Sequence, residues 1–289
     1  SYFSAINASI ASMTTTAAVP VFDNGAGSYI RISGTQHMEA VSSMPDWLAQ
    51  MLHNLILTGQ CTDITLELND SMMTQVLDSG TVSTSSDFVL AGTCTTSFQT
   101  SGANRSNNIA VGASRLNNLI VLPGQTVSVS DTILPRTRAN GYKEAGVYVN
   151  GAHTTGLGGG VCQISSTVYN AVKNAGLTVV QRNPHSMPVS YLPKGLDAAI
   201  AAGSKDLKFR NDYTTPGVLY TDTSNKHLTV NVLVWNQELA GRSFKLWAKQ
   251  TGALSADTYF TTYQDGKEVS TQFVGTSRYN PYREAVSND

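Results

Sequence analysis

The sequence predicts an α+β protein in three parts: a small N-terminal α+β module (1–90), a central mixed α/β domain (91–236) and a β-rich C-terminal extension (237–289). Three observations carry this. Helix-type and strand-type apolar patterns alternate through the middle of the chain, whereas the last third shows strand patterns alone. A Ser/Thr/Gly patch at 80–86 marks the first change in texture. The chain has 289 residues, 41% of them apolar, which exceeds one average domain and suffices for packed cores.

In the N-terminal module, residues 28–32 read as a strand. Residues 44–56 read as a helix, with apolar positions 47, 48, 51, 52, 55 and 56 on one side and Pro45 in its first turn. Residues 64–68 alternate as a strand and 70–76 fit a short helix. His37 and His53 lie here without other ligand-type residues at metal spacing, so they are expected at the surface or in packing.

The central domain opens with extended segments at 88–90 and 94–98. A helix follows over 106–117, with Ile109, Ala113 and Leu116 on one face and Asn118 as its cap. Strands are expected at 119–122 and 127–129, separated by the Pro123-Gly124 turn. Residues 133–142 form an irregular loop holding Arg136 and Arg138. A strand at 147–149 ends on Asn150-Gly151, a hairpin-turn dipeptide. Beyond the glycine run 158–160, Ile164, Val168, Ala171, Val172 and Ala175 make a helical stripe, and Gly176 is placed to stop it. A strand at 177–180, a proline-stiffened loop at 183–189 carrying His185, and a strand-like stretch at 206–211 complete the unit. Residues 227–235, 243–249, 259–263 and 269–274 read as strands, with Asp265-Gly266 joining the last two. The polar C-terminus is expected to fray.

Charge is sparse and balanced: 19 Lys and Arg against 20 Asp and Glu, 13% of the chain. That gives no electrostatic reason to expect nucleic acid or an anionic membrane surface. No run approaches the roughly 20 apolar residues of a membrane helix. The Ser/Thr/Gly/Asn-rich texture and 12 Tyr suit a secreted or cell-surface protein, with any signal or anchor upstream of Ser1. Of three cysteines, Cys61 and Cys94 either pair, which would stabilise by about 3–4 kcal/mol, or remain buried thiols. Cys162 is then left unpaired.

Cys162 follows Gly158-Gly159-Gly160-Val161 and precedes the apolar stripe, a poor arrangement for core packing and a good one for chemistry. Amides at a helix start are unpaired and partly positive, so a thiolate there is stabilised. Glycines let the backbone approach a ligand closely. A cysteine nucleophile needs a base. His185 is preferred, because the strand after the cysteine helix returns the chain to the same edge and prolines fix the loop. His153, on the glycine-flanked segment before Cys162, is the rival. Asp197 and Asp206 are both eligible to orient the base. Gly159, Gly160, Gln163 and Ser165 are candidate substrate-facing residues beside the thiol. Arg136 and Arg210 are candidates for docking substrate carboxylates. The loop lacks the Gly-Lys-Ser/Thr of a P-loop and the spaced glycines of a dinucleotide site, so phosphate binding ranks second. No metal or other cofactor is expected.

Several motifs, in order, resemble the VanW-type domain: 156–171 (GLGGGVCQISSTVYNA), 182–191 (RNPHSMPVSY) with 195–198 (GLDA), Pro135-Arg136-Thr137 with Gly141-Tyr142, and 206–211 (DLKFRN). The likeness runs from about Thr95 to Trp235. More loosely, the N-terminal part resembles the peptidoglycan-binding segment that often precedes this domain, and the tail resembles the β-rich extension that often follows it. The family is associated with glycopeptide-resistance clusters, and some members act as L,D-transpeptidases through a cysteine. The resemblance therefore implies Cys162 as nucleophile, strengthens His185 as base, and points to peptidoglycan stem peptides as partners at the outer face of the cell envelope. A non-catalytic wall-binding module and a cysteine peptidase or amidase are the alternatives.

Overall fold

The computed structural model describes residues 15–22, 29–36, 88–149, 152–201 and 203–281. The helices expected at 44–56 and 70–76, the strand at 64–68, His37, His53, Cys61 and the C-terminal residues lie outside that set. Strands β1 (Thr15–Phe22) and β2 (Tyr29–Gln36) pair antiparallel, so the described part of the segment read as a strand at 28–32 is one.

The described remainder is built around one helix. A four-stranded antiparallel sheet runs in the order β3 (Phe88–Ser97), β11 (His227–Trp235), β10 (Gly217–Asp222), β4 (Leu119–Val121). The two extended segments expected at 88–98 are one continuous strand. Packed on this sheet is α3 (Val161–Asn174). The close approach needs Gly92, where a Cβ would sit 2.3 Å from the Ala171 carbonyl oxygen. The apolar stripe of α3 understates its burial, since nearly every residue from Val161 to Val172 is inaccessible. Three of its buried polar side chains bond within the helix: Ser166, Thr167 and Asn170 donate to the carbonyls of Cys162, Gln163 and Ser166 at 2.7–2.8 Å. The helix ends as Gly176 (φ 82°) predicts, with Leu177 N–H donating to Val172 O and Gly176 N–H to Lys173 O, a Schellman stop.

Helix α1 (Ala103–Ser114) packs across α3 through Ile109, Gly112 and Ala113. It ends earlier than the spacing suggests, capped at Arg115, and Asn118 instead takes a left-handed turn (φ 57°) that aims the chain into β4. Strand β5 (Thr126–Ser128) runs straight into α2 (Val129–Thr132), a turn of helix the alternating 127–129 pattern hid. Strand β6 (Glu144–Val149) and β7 (Ala152–Leu157) form the hairpin that Asn150-Gly151 announces. Strands β5, β9 (Lys208–Arg210) and β8 (Thr178–Gln181) make a small sheet.

The last third is not strand alone. A short helix α4 (Asn236–Leu239) turns the chain into a three-stranded meander, β12 (Arg242–Gly252), β13 (Ser255–Gln264) and β14 (Lys267–Arg278). The β13–β14 turn falls at Asp265-Gly266, both at positive φ, as expected. One face of the meander covers α3, with Leu246 joining the core and Phe244 meeting Gly176. Cys94 is a free thiol on β3, packed against the core.

Candidate active site

The glycine run is shaped by what surrounds it. Gly158 and Gly160 have φ of 83° and 114°, which side-chained residues adopt at a cost. A Cβ on Gly159 would lie 2.6 Å from the Gly146 carbonyl oxygen of β6. Asn108 of α1, fully buried, ties the turn down: its amide donates to Lys143 O (2.8 Å) and Gly159 O (3.1 Å), and its oxygen accepts from Lys143 N–H (2.7 Å). Gly160 caps α3, so the helix begins at Val161 and Cys162 lies inside the first turn rather than before it.

Cys162 is half-buried, and its thiol lies 3.4 Å from the Ile200 carbonyl oxygen. That carbonyl can only accept, so this contact belongs to the protonated thiol. Burial alone would raise the thiol pKa. The hydrogen bond and positive charge of His185 override it, with help from Arg136, and the pKa lies below the ordinary 9.0. His185 Nδ1 is 2.7 Å from Asp197 Oδ2, which leaves Nε2 for the sulfur. Burial opposes the imidazolium, but Asp197 and the Cys162 thiolate raise its pKa from 6.5 to about 9. Both shifts favour the thiolate–imidazolium form of the pair over thiol and neutral imidazole.

Asp197 has 0% exposure and four donors: the His185 ring, the His185 amide (2.6 Å), the Tyr279 hydroxyl (2.5 Å to Oδ1) and Arg182 Nη2 (3.3 Å to Oδ1). Burial pushes its pKa up, and these donors override it, holding it at about 2. Of the two eligible carboxylates, Asp197 is the one within hydrogen-bond reach of His185. Asp206 instead accepts from Ser128 Oγ and Ser130 N–H, fixing β5 and α2. His153 pairs across the β6–β7 hairpin with Tyr148.

The other candidates divide. Arg136 packs along Gly158 and bears electrostatically on Cys162. Gln163 is buried and spent internally: its amide donates to Thr96 Oγ1 and Ser97 O, both at 3.0 Å, and its oxygen accepts from Arg105 Nη2 at 2.8 Å. Ser165 has 0% exposure and an unpartnered Oγ, so as it stands it faces no substrate. Arg210 is exposed and paired with Asp212, with no triad residue among its partners.

Four contributors were not legible in the sequence. Arg105, on α1, lies alongside Gly160 and feels the Cys162 charge. Ser166 Oγ accepts from Ala198 N–H at 2.9 Å and contacts Tyr191 at 3.4 Å, placing the Asp197 segment against α3. Arg182 binds the carbonyls of Gly195 and Asp197 as well as the carboxylate. Tyr279 arrives from beyond β14. Of the four, Arg182 and Ser166 carried a signal, since each lies in the same motif as His185 or Cys162. Among the described residues, no cluster of three His, Cys, Asp or Glu is placed to hold a metal ion.

Residues 104–233 match the family model described as VanW like protein. The chain is 43% identical over 125 residues to the uncharacterized protein YoaR of Bacillus subtilis, covering 43% of this chain and 41% of YoaR. It is 36% identical over 114 residues to the vancomycin B-type resistance protein VanW of Enterococcus faecalis, covering 38% of this chain and 42% of that protein. The chain thus spans about two fifths of the length of these curated relatives. No solved structure matches it. The likeness to the VanW family thus lies in residues 104–233, with Cys162, His185 and Asp197 inside the matching stretch and Tyr279 outside it.

Proposed function

We propose that this protein is a cell-wall acyltransferase, an L,D-transpeptidase that forms 3–3 cross-links between peptidoglycan stem peptides through a Cys162 thioester. The observation that carries the reading is the Cys162–His185–Asp197 relay at a helix start, in which His185 lowers the thiol pKa and Asp197 raises that of the imidazole. The likeness to a vancomycin-resistance protein supports a wall substrate. Such a substrate places the protein at the outer face of the envelope. Among the described residues, no helix is long and apolar enough to cross a membrane.

In this reaction the Cys162 thiolate attacks the carbonyl carbon of the third residue of a tetrapeptide stem. The oxyanion develops beside the Cys162 amide, since the Val161 and Gln163 amides already donate to Gly158 O and Gly160 O. The imidazolium gives its Nε2 proton to the leaving nitrogen, D-Ala departs, and a thioester remains. The acceptor's side-chain amine then attacks the thioester carbonyl and passes a proton to Nε2, and the thiolate is expelled. Asp197 holds the ring in one orientation throughout and stabilises its charge. Water in place of the amine gives carboxypeptidase activity.

Intact-protein mass spectrometry after incubation with tetrapeptide muropeptides tests this. An adduct on Cys162 equal to the stem minus D-Ala is expected. Cleavage at another bond would make the protein a wall peptidase or amidase. No adduct, with Cys162→Ala binding wall fragments like the wild type, would leave a binding module.

A further inference from the structure

The end of the meander enters the site. Beyond β14 the chain crosses behind the His185 loop: Tyr279 N–H donates to Leu254 O at 2.8 Å, and Asn280 N–H to Ser186 O at 2.7 Å, one residue past His185. The Tyr279 side chain is 6% exposed. Its hydroxyl accepts from Gly195 N–H at 2.7 Å and donates to Asp197 Oδ1 at 2.5 Å. The same sheet holds the neighbouring backbone, with Thr258 Oγ1 donating to Gly195 O at 2.9 Å and Arg182 Nη1 to Ser277 Oγ at 3.0 Å.

We propose that Tyr279 is a positioning residue of the reactive site: its hydroxyl bridges Gly195 and Asp197 and thereby fixes the carboxylate that aligns His185 against Cys162. Without the hydroxyl, Oδ1 keeps only the 3.3 Å contact with Arg182, and the Gly195 amide loses its acceptor. The terminal torsion of an Asp side chain is soft, so a carboxylate gripped at one oxygen turns readily. A turned Asp197 leaves the buried imidazolium without its partner. The meander is then part of the catalytic apparatus, although it lies wholly outside the family match at 104–233.

Tyr279→Phe removes the hydroxyl and keeps the ring. The readouts are the pH dependence of Cys162 alkylation by iodoacetamide and the NMR titration of the His185 imidazole, with thermal melting to confirm folding. Y279F should melt near the wild type and alkylate roughly ten- to a hundredfold more slowly at neutral pH. Its thiolate should form at higher pH, and its imidazole should titrate below about 9. An imidazole that titrates at or above the wild-type value overturns the proposal. In the Asp197→Asn background Y279F should add nothing, whereas a loss as large as in the wild type would mean that Tyr279 acts through packing alone. Should Y279F fail to fold, the phenol itself reports. Burial and Asp197 push its pKa up to about 12, so D197N should lower it, and an unchanged value sinks the idea. The inference rests on Cys162 being the nucleophile. Wild-type Cys162 alkylating no faster than a free thiol refutes that reading whatever Tyr279 does. Equal, fast alkylation in wild type and Y279F refutes only the positioning role.

Discussion

Cys94 and Cys162 are two thiols of one domain, driven in opposite directions. Cys94 sits mid-strand on β3, paired in register with Val230, and burial pushes its pKa up to about 12. Cys162 also suffers burial, yet its pKa is lowered. The difference is what faces the sulfur. Among the groups acting on Cys162 are the His185 imidazolium and Arg136, at the start of a helix, whereas burial is the sole cause acting on Cys94. Burial alone disfavours a thiolate, and a held cation beside a buried thiol favours it.

The largest effect that sharpens this contrast is removal of the sulfur itself. Cys162→Ala should abolish the stem-peptide adduct, while Cys94→Ala should leave its rate unchanged. Intact-mass kinetics on the two variants decides the point, and an adduct surviving in C162A would refute the assignment.

Next comes the cation. Asp197→Asn keeps the shape but removes the charge that holds His185 protonated, and should slow acyl transfer by about 10³–10⁴. The same exchange has a signature in pH. His185 has a raised folded-state value, so its contribution to stability is fully present below 6.5 and is lost as pH climbs through about 9. Asp197 has a depressed value, so its contribution is present above 3.8 and is lost as pH falls through about 2. The stability difference between wild type and D197N, from urea titrations across pH, should therefore be widest between about 4 and 6.5 and shrink on both sides. Transfer activity should decline above about pH 9, where the imidazolium no longer has a proton for the leaving amine.

How much of this was readable beforehand follows the range of the interactions. Local signals held: the Gly176 stop, the Asn150-Gly151 hairpin, the 227–235 strand and the thiol at a helix start each depend on a few adjacent residues. The Cys162–His185 pairing was legible because one helix and one strand connect them. The choice of Asp197 over Asp206 was not, because it turns on which carboxylate a loop carries behind the imidazole. The outward reading of Gln163 and Ser165 failed for a related reason. A polar residue beside a nucleophile looks like a ligand contact, but α3 is enclosed on nearly all sides, so Gln163 is spent on β3 and Arg105. Tyr279 was out of reach, since 82 residues separate it from the carboxylate it holds.

The glycine turn gives the third test. Gly159→Ala drives a Cβ toward Gly146 O at 2.6 Å and the Ala145 carbonyl carbon at 2.9 Å, and the first of these is a backbone oxygen of β6 that cannot swing aside. The turn or the hairpin must move, at a cost of about 1–3 kcal/mol. Because that shift is passed to the start of α3, Cys162 alkylation should slow along with the drop in melting temperature. A variant that loses stability but keeps the rate would show that the turn and the thiol are mechanically independent.

The smallest effect closes the comparison from the quiet side. Cys94→Val should change stability by no more than about 1 kcal/mol, since a β-branched apolar group of similar size suits a position in the middle of a strand. Its value lies in iodoacetamide labelling of the native protein. If Cys94 is silent because burial disfavours its thiolate, the native wild type and C94V should both take up one label from the described cysteines, at Cys162, and at the same rate. Rapid labelling of Cys94 in the folded wild type would show that β3 opens to solvent there, and the contrast between the two thiols would fail.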